Sequence, residues 1–148
     1  MKLSPTKLTK KGKEVPDYEA GLARALKLFG EDLPPSLDNV VVPGIGMRRS
    51  RAKPNAAGVV RSGTQRPVVW DRAWIEHRLL VEIQGGIFAG KGGHNAAGAQ
   101  RDHEKNNLAV VAGFSVLYFG PNDLTTWDQG SVTVETIRRA LARAGGKA

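Results

Sequence analysis

A chain of 148 residues can bury one hydrophobic core without cross-links, and the absence of cysteine excludes disulfides, zinc–thiolate sites and thiol chemistry. Its 22 Lys and Arg against 14 Asp and Glu leave a net charge of +8, and such an excess, where clustered, is the footprint of a polyanion binder. No run of 18 apolar residues and no apolar signal-peptide stretch occurs, so the expectation is one soluble, intracellular domain with no membrane partner.

Residues 1–15 carry five lysines and one glutamate with few large apolar groups, and read as a basic, flexible tail ahead of a single domain over 16–148. Asp17 suits a helix N-cap, and Tyr18, Leu22, Ala25, Leu26 and Phe29 recur at helical spacing, which predicts a helix over 17–29 ended by Gly30 and Pro34–Pro35. The β-branched run 39–42 predicts the first strand, stopped by Pro43-Gly44. Residues 47–66 lack clear periodicity and carry Arg48, Arg49, Arg51, Lys53, Arg61 and Arg66 with no acid. They predict a long basic loop or β-extension that contacts phosphates, with Lys91 and Arg101 as further contacts; the bland alternative is a solvated loop.

The runs 67–74 and 79–84 flank the connection 75–78 and predict a β-hairpin. Alternation puts Asp71 and Glu82 where they can project from one side of paired strands, with Trp70 and Trp74 opposite Asp71 as core or dimer-interface residues. Two carboxylates so placed repel unless a divalent cation or a shared proton compensates; as ordinary edge-strand acids they would instead pair with Arg72 or Arg78. Six of the fourteen residues in 85–98 are glycine, yet the segment lacks the spacing of a Walker phosphate loop. A second helix is expected over 102–112, with Leu108, Val111 and Ala112 inward and Gly113 as its stop. An uncharged strand over 114–119 follows, then a helix capped by Ser131 and running to Arg143, with Val134, Ile137 and Leu141 on its apolar stripe. The order predicts an α/β fold with a mixed sheet.

The pattern W-D-R-A-W-I-E-H-R-L-L-V-E-I-Q, followed by G-G-I-F-A-G-K-G-G-H and R-D-H-E-K-N-N-L, resembles the PD-(D/E)XK nuclease superfamily, in the branch with very-short-patch-repair-like endonucleases and small phage and bacterial relatives. The resemblance implies a restriction-endonuclease-like core: a mixed four-stranded sheet flanked by helices. It implies Mg²⁺, or Mn²⁺ as substitute, on Asp71, Glu82 and the Ile83 carbonyl, with Gln84 where the family usually has lysine. Glu19 corresponds to a first-helix acid that reaches the metal through water, though the helix dipole also favours an acid there. His94 resembles a loop histidine able to contact phosphate or serve as general acid. Lys105, within a D-x-E-K-x-N pattern with Asp102 and Asn107, is the candidate replacement for the missing strand lysine, or else a tie between helix and sheet. The activity so implied is a metal-dependent, structure-specific DNA endonuclease in a bacterial or phage-infected cytoplasm, foremost a homodimeric Holliday junction resolvase acting on four-way DNA. Its alternatives are a monomeric nicking or repair endonuclease and a catalytically silent nucleic-acid-binding module. A basic RNA-associated protein explains the charge but leaves the carboxylates without a purpose.

Overall fold

The computed structural model describes residues 2–46, 48–49, 56–58, 65–84 and 96–145. In chain order these form β1 (Thr6–Leu8), β2 (Glu14–Pro16), α1 (Tyr18–Phe29), β3 (Leu37–Val41), β4 (Arg48–Arg49), β5 (Gln65–Arg66), β6 (Val69–Trp74), β7 (Leu79–Ile83), α2 (Ala96–Val111), β8 (Ser115–Phe119), α3 (Pro121–Leu124) and α4 (Trp127–Gly145). The fold is α/β around a mixed four-stranded sheet of order β3-β6-β7-β8. The first three strands are an antiparallel meander, and β8 lies parallel to β7. Parallel pairing requires a crossover, which α2 supplies.

Alternation along β7 divides the apolar residues between two cores. Leu79 and Val81 pack with Leu22 and Ala25 of α1 and with Val134, Ile137 and Leu141 of α4. Leu80 faces the other way, with Val42, Val68, Ala73, Phe114 and Ala109 of α2. Helices therefore cover both faces of the sheet, α1 and α4 on one and α2 on the other.

Residues 2–15 are not the flexible tail that their charge suggests. Leu3 is fully buried in the α1–α4 core, its N–H donates to Thr125 O at 2.9 Å, and β1 and β2 form a hairpin. Glycine makes the room: a Cβ on Gly21 would fall on Ser4 Oγ, and one on Gly130 would meet Leu3 Cδ2 at 2.5 Å. Helix α1 follows the expected register, with Asp17 Oδ1 accepting from Ala20 N–H at 3.2 Å. Helix α2 starts six residues earlier than expected, at Ala96, because 96–99 reads A-A-G-A and two of its three alanines precede the tolerated Gly98. Among its described side chains the buried one is Ala109, whereas Val111 is 87% exposed. Helix α4 starts at Trp127 rather than beyond Ser131, on a reciprocal cap. Gln129 N–H donates to Thr126 Oγ1 at 3.3 Å, and Thr126 N–H to Gln129 Oε1 at 2.9 Å.

The 47–66 segment is closed at its base by β4 and β5, which pair Arg48 with Arg66 and Arg49 with Gln65. This is a β-extension in its described part. Arg66 is exposed; Arg51, Lys53, Arg61, Lys91 and His94 lie outside the described residues, as do the side chains of Arg48, Arg49 and Arg101.

Candidate active site

Regular pairing of β6 ends at Asp71 on the β7 side and is interrupted there, by one pair, on the β3 side. Toward β7 the last register pair is Arg72 with Val81; toward β3 the register passes from Asp38–Arg72 to Val40–Trp70, skipping Asn39 and Asp71. Asn39 sits at φ 46°, in the left-handed region that asparagine tolerates better than most residues. The kink reverses the facing of β6: Trp70 packs in the α2-side core and Trp74 in the α1-side core. The two tryptophans therefore do not share a face, as simple alternation predicts, and at 0% and 2% exposure neither offers a dimer surface.

Where the ladder ends, side chains replace it. Ile83 N–H donates to Asp71 Oδ2 at 2.7 Å, and Asp71 N–H donates to Glu82 Oε1 at 3.2 Å. The two acids meet through these reciprocal backbone contacts, and each is then served by a different helix. From α1, the Glu19 carboxyl neighbours Asp71, and both line one recess. From α2, Lys105 Nζ lies 2.6 Å from Glu82 Oε1, donates to Val69 O at 2.7 Å and stands 4.5 Å from the centre of the Trp70 ring.

The electrostatics follow from this packing. Partial burial, then the Asp71 carboxyl, hold Glu19 above the ordinary carboxylate range. Burial also raises Glu82, and Lys105 acts against that rise. Neighbouring carboxyls such as Glu19 and Asp71 repel when both are ionised, and a proton or a cation relieves that repulsion. Arg72 and Arg78 do not provide one: Arg72 donates to Ser36 Oγ at 3.0 Å, and Arg78 donates to Ala112 O at 3.1 Å at the end of α2.

Two recesses flank the site. One of about 220 Å³ is lined by Asp17, Glu19, Leu22, Asp38, Asp71 and Ile83, among others. The other, of about 360 Å³, is lined by Gln84, Asp102, His103, Asn106 and Tyr118. The structure thus brings Asp71, Glu82, Glu19, Ile83 and Lys105 together and places the Gln84 side chain in the neighbouring recess, while the Gln84 N–H donates to Phe119 O at 2.8 Å. Sequence reasoning missed Trp70 as a platform for Lys105, Asn39 as the kink, and Tyr118 and Asn106 beside Gln84. The i, i+4 spacing of Asp102 and Asn106 was the available signal for the last.

The donor set is hard oxygen, which suits Mg²⁺, and the named bonds use one oxygen of Asp71 and one of Glu82, leaving the second of each as a ligand. Glu19 neighbours Asp71 and the Asp71 N–H donates to Glu82, and among the described residues no three His, Asp or Glu form a group that could hold a metal ion. No family model, curated protein or solved structure matches this chain.

Proposed function

We propose that the protein is a divalent-metal-dependent DNA endonuclease of the PD-(D/E)XK kind. The observation that carries this reading is the opening of the sheet at Asp71 and Glu82, with a third carboxyl from α1 and an ammonium from α2 at the same place. Asp71, Glu82 and the Ile83 carbonyl would hold Mg²⁺, with Glu19 beside them. Bound there, the ion would acidify a water and neutralise charge on the scissile phosphate.

The chain's own groups have distinct tasks. Ile83 N–H and Asp71 N–H fix one oxygen of each acid, so neither carboxylate rotates freely. Lys105 holds Glu82 in place and brings positive charge to where the phosphate would lie, the part of the lysine absent from position 84. The basic extension that begins at β4 and ends at Arg66 would hold the duplex through phosphate contacts.

A four-way junction is the substrate we favour, with two copies related by a two-fold axis supplying paired incisions. Trp70 and Trp74 are too buried to join them. The edge strand β3 with its neighbour β6, where Leu37, Val41 and Val69 are about half exposed, is the surface for an isologous contact. A second reading, a silent DNA-binding module, draws on the same Lys105–Glu82 pair, since an ammonium at 2.6 Å already neutralises Glu82.

Incubation with labelled four-way junction, duplex and single strand, with Mg²⁺ and with EDTA, decides between them. Mg²⁺-dependent cutting, abolished in Asp71→Asn and Glu82→Gln while binding persists, is expected. Binding without cutting establishes the silent module, and cutting in EDTA or by both variants refutes the metal site. Equal affinity for junction and duplex by a protein that sediments as a monomer removes the junction substrate.

A further inference from the structure

The recess of about 360 Å³ between α2 and β8 takes no part in the hydrolysis proposed above, yet it adjoins that site. Tyr118 is the register partner of Glu82 across β7 and β8, and Asn106 follows Lys105 on α2. Its volume lies within the range of small-ligand sites.

The described lining is polar. Among the described residues Gln84, Asp102, His103, Asn106 and Tyr118 include a carboxylate and no Lys or Arg, which favours a hydrogen-bond donor over a phosphate. Tyr118 Oη donates to Asn106 Oδ1 at 3.2 Å, which leaves the amide's Nδ2 as a donor. Burial, with Glu82 and Asp102 nearby, holds the Tyr118 phenol above its ordinary value, so it remains a protonated donor. Gln84 adds a second amide from the end of β7. The result is an acceptor with two adjacent lone-pair edges, amide donors beside it and an aromatic wall.

That set matches the hydrogen-bonding edge of one base better than the others. Guanine presents N1–H and N2–H₂ side by side, as a carboxylate requires, with O6 next to them as an acceptor. Adenine and cytosine offer a single amino group on that edge, and thymine a single N–H. We propose that the recess holds a guanine of the bound DNA strand, with Asp102 accepting from N1–H and N2–H₂ and Gln84 or Asn106 donating to O6. The proposal rests on the DNA-nuclease reading for the presence of DNA and adds to it a base preference beside the scissile phosphate.

The test uses the full chain in EDTA with short fluorescein-labelled thymidine strands that carry one central guanine, inosine, adenine or cytosine. Inosine lacks only the N2 amino group. A bidentate base contact should make the guanine strand bind about tenfold tighter than the inosine strand. Asp102→Asn, an exchange at an exposed position, should erase that difference, read as the ratio of guanine-strand to inosine-strand affinity so that any general change in strand binding from the lost charge cancels. Equal binding of guanine and inosine strands by the wild type overturns the recess assignment, as does a guanine preference that survives Asp102→Asn. Equal binding together with Mg²⁺-dependent cleavage overturns the recess alone and leaves the nuclease standing. A guanine preference lost in Asp102→Asn, without cleavage of any substrate, upholds the recess and overturns the nuclease; no binding to any strand overturns both.

Discussion

Lys105→Met removes an ammonium and keeps most of the apolar stem, so it isolates the charge at the site. Lys105 and Glu82 are each 16% exposed at the side chain and 2.6 Å apart, and Lys105 also serves Val69 O and the Trp70 ring. Removing one member of a largely buried pair strands its partner, which costs about 3–5 kcal/mol. Residual solvent access brings the expectation to the lower end, about 3 kcal/mol. For a chain of this length that corresponds to a melting temperature about 6–12 °C lower. Restoring neutrality should recover most of it: in Lys105→Met with Glu82→Gln, no buried charge is left unpaired, and a double-mutant cycle by urea unfolding should return a coupling of about 2 kcal/mol. The deficit should also depend on pH. Burial raises the folded-state pKa of Glu82, so the folded state favours the protonated acid. Stability from such a group is present in full below the unfolded carboxylate value and is lost as pH rises through the folded value. Without Lys105 the folded value climbs further, so the variant should fall further behind the wild type as pH rises above the ordinary glutamate value of about 4.3. An additive cycle, or a deficit that does not grow with pH, would refute the pairing on which the site is built.

Three further outcomes are expected. Glu19, raised by burial and by Asp71, also favours its protonated form in the folded chain, so stability falls as pH rises through its folded value. Mg²⁺ at about one hundred times its Kd should therefore raise stability by about 2.7 kcal/mol at neutral pH and by clearly less in acid, where protons compete for the carboxylates; equal gains in melting scans at both would show that the ion binds elsewhere. Asn39→Gly should leave urea stability nearly unchanged and Asn39→Val should lower it by about 1–2 kcal/mol, because the φ of 46° is costly for a β-branched residue; a harmless valine would mean that the kink is relaxed in solution. Leu3→Ala should cost about 2–5 kcal/mol by calorimetry, as for any fully buried leucine, and a loss under about 1 kcal/mol would return the N-terminal residues to the status of a tail.

What the sequence made legible depended on whether the cause was local. Helix α1 was readable because its cap and its apolar stripe both lie within 17–29, and the β6–β7 hairpin because alternation and the 75–78 turn are contiguous. Lysines dominate the composition of the N-terminal segment and so suggest a tail, while Leu3 and Ser4 find their partners at Gly130, Ala25 and Gly21, far along the chain. The start of α4 was missed for the opposite reason: Thr126 and Gln129 spell a capping box, but Ser131 offered a second cap inside the helix. Of the candidate site, Asp71, Glu82, Glu19 and Lys105 were named from residues and motif, and the structure assembles all four. The facing of Trp70 was beyond reach, since a period of two assumes an unbroken ladder and the break at Asn39 is visible only in three dimensions.

That break also explains why the acids lie where they do. In an unbroken sheet, Asp71 and Glu82 would be side-chain neighbours between satisfied backbone ladders, with repulsion and desolvation unanswered. Here the ladder ends first, and the stranded N–H groups of Asp71 and Ile83 each take a carboxylate oxygen. Backbone donors that would be unsatisfied at the end of a strand pair thus hold the charges that would be unfavourable within it. Lys105 neutralises Glu82, but Glu19 adds a third carboxyl beside Asp71, and among the described residues the cations near that pair are the more distant Lys7 and Arg72, which lines the same recess but donates to Ser36. The residual negative charge is therefore on the α1 side, at Asp71 and Glu19, and it is there that a divalent cation would relieve the most repulsion. This asymmetry makes Asp71→Asn and Glu82→Gln unequal: the first should weaken Mg²⁺ binding in a calorimetric titration more than the second, because it takes away the acid that two neighbours leave uncompensated. Equal losses would mean that Lys105 moves off Glu82 when the ion binds, and the charge balance drawn from the ion-free arrangement would then be wrong.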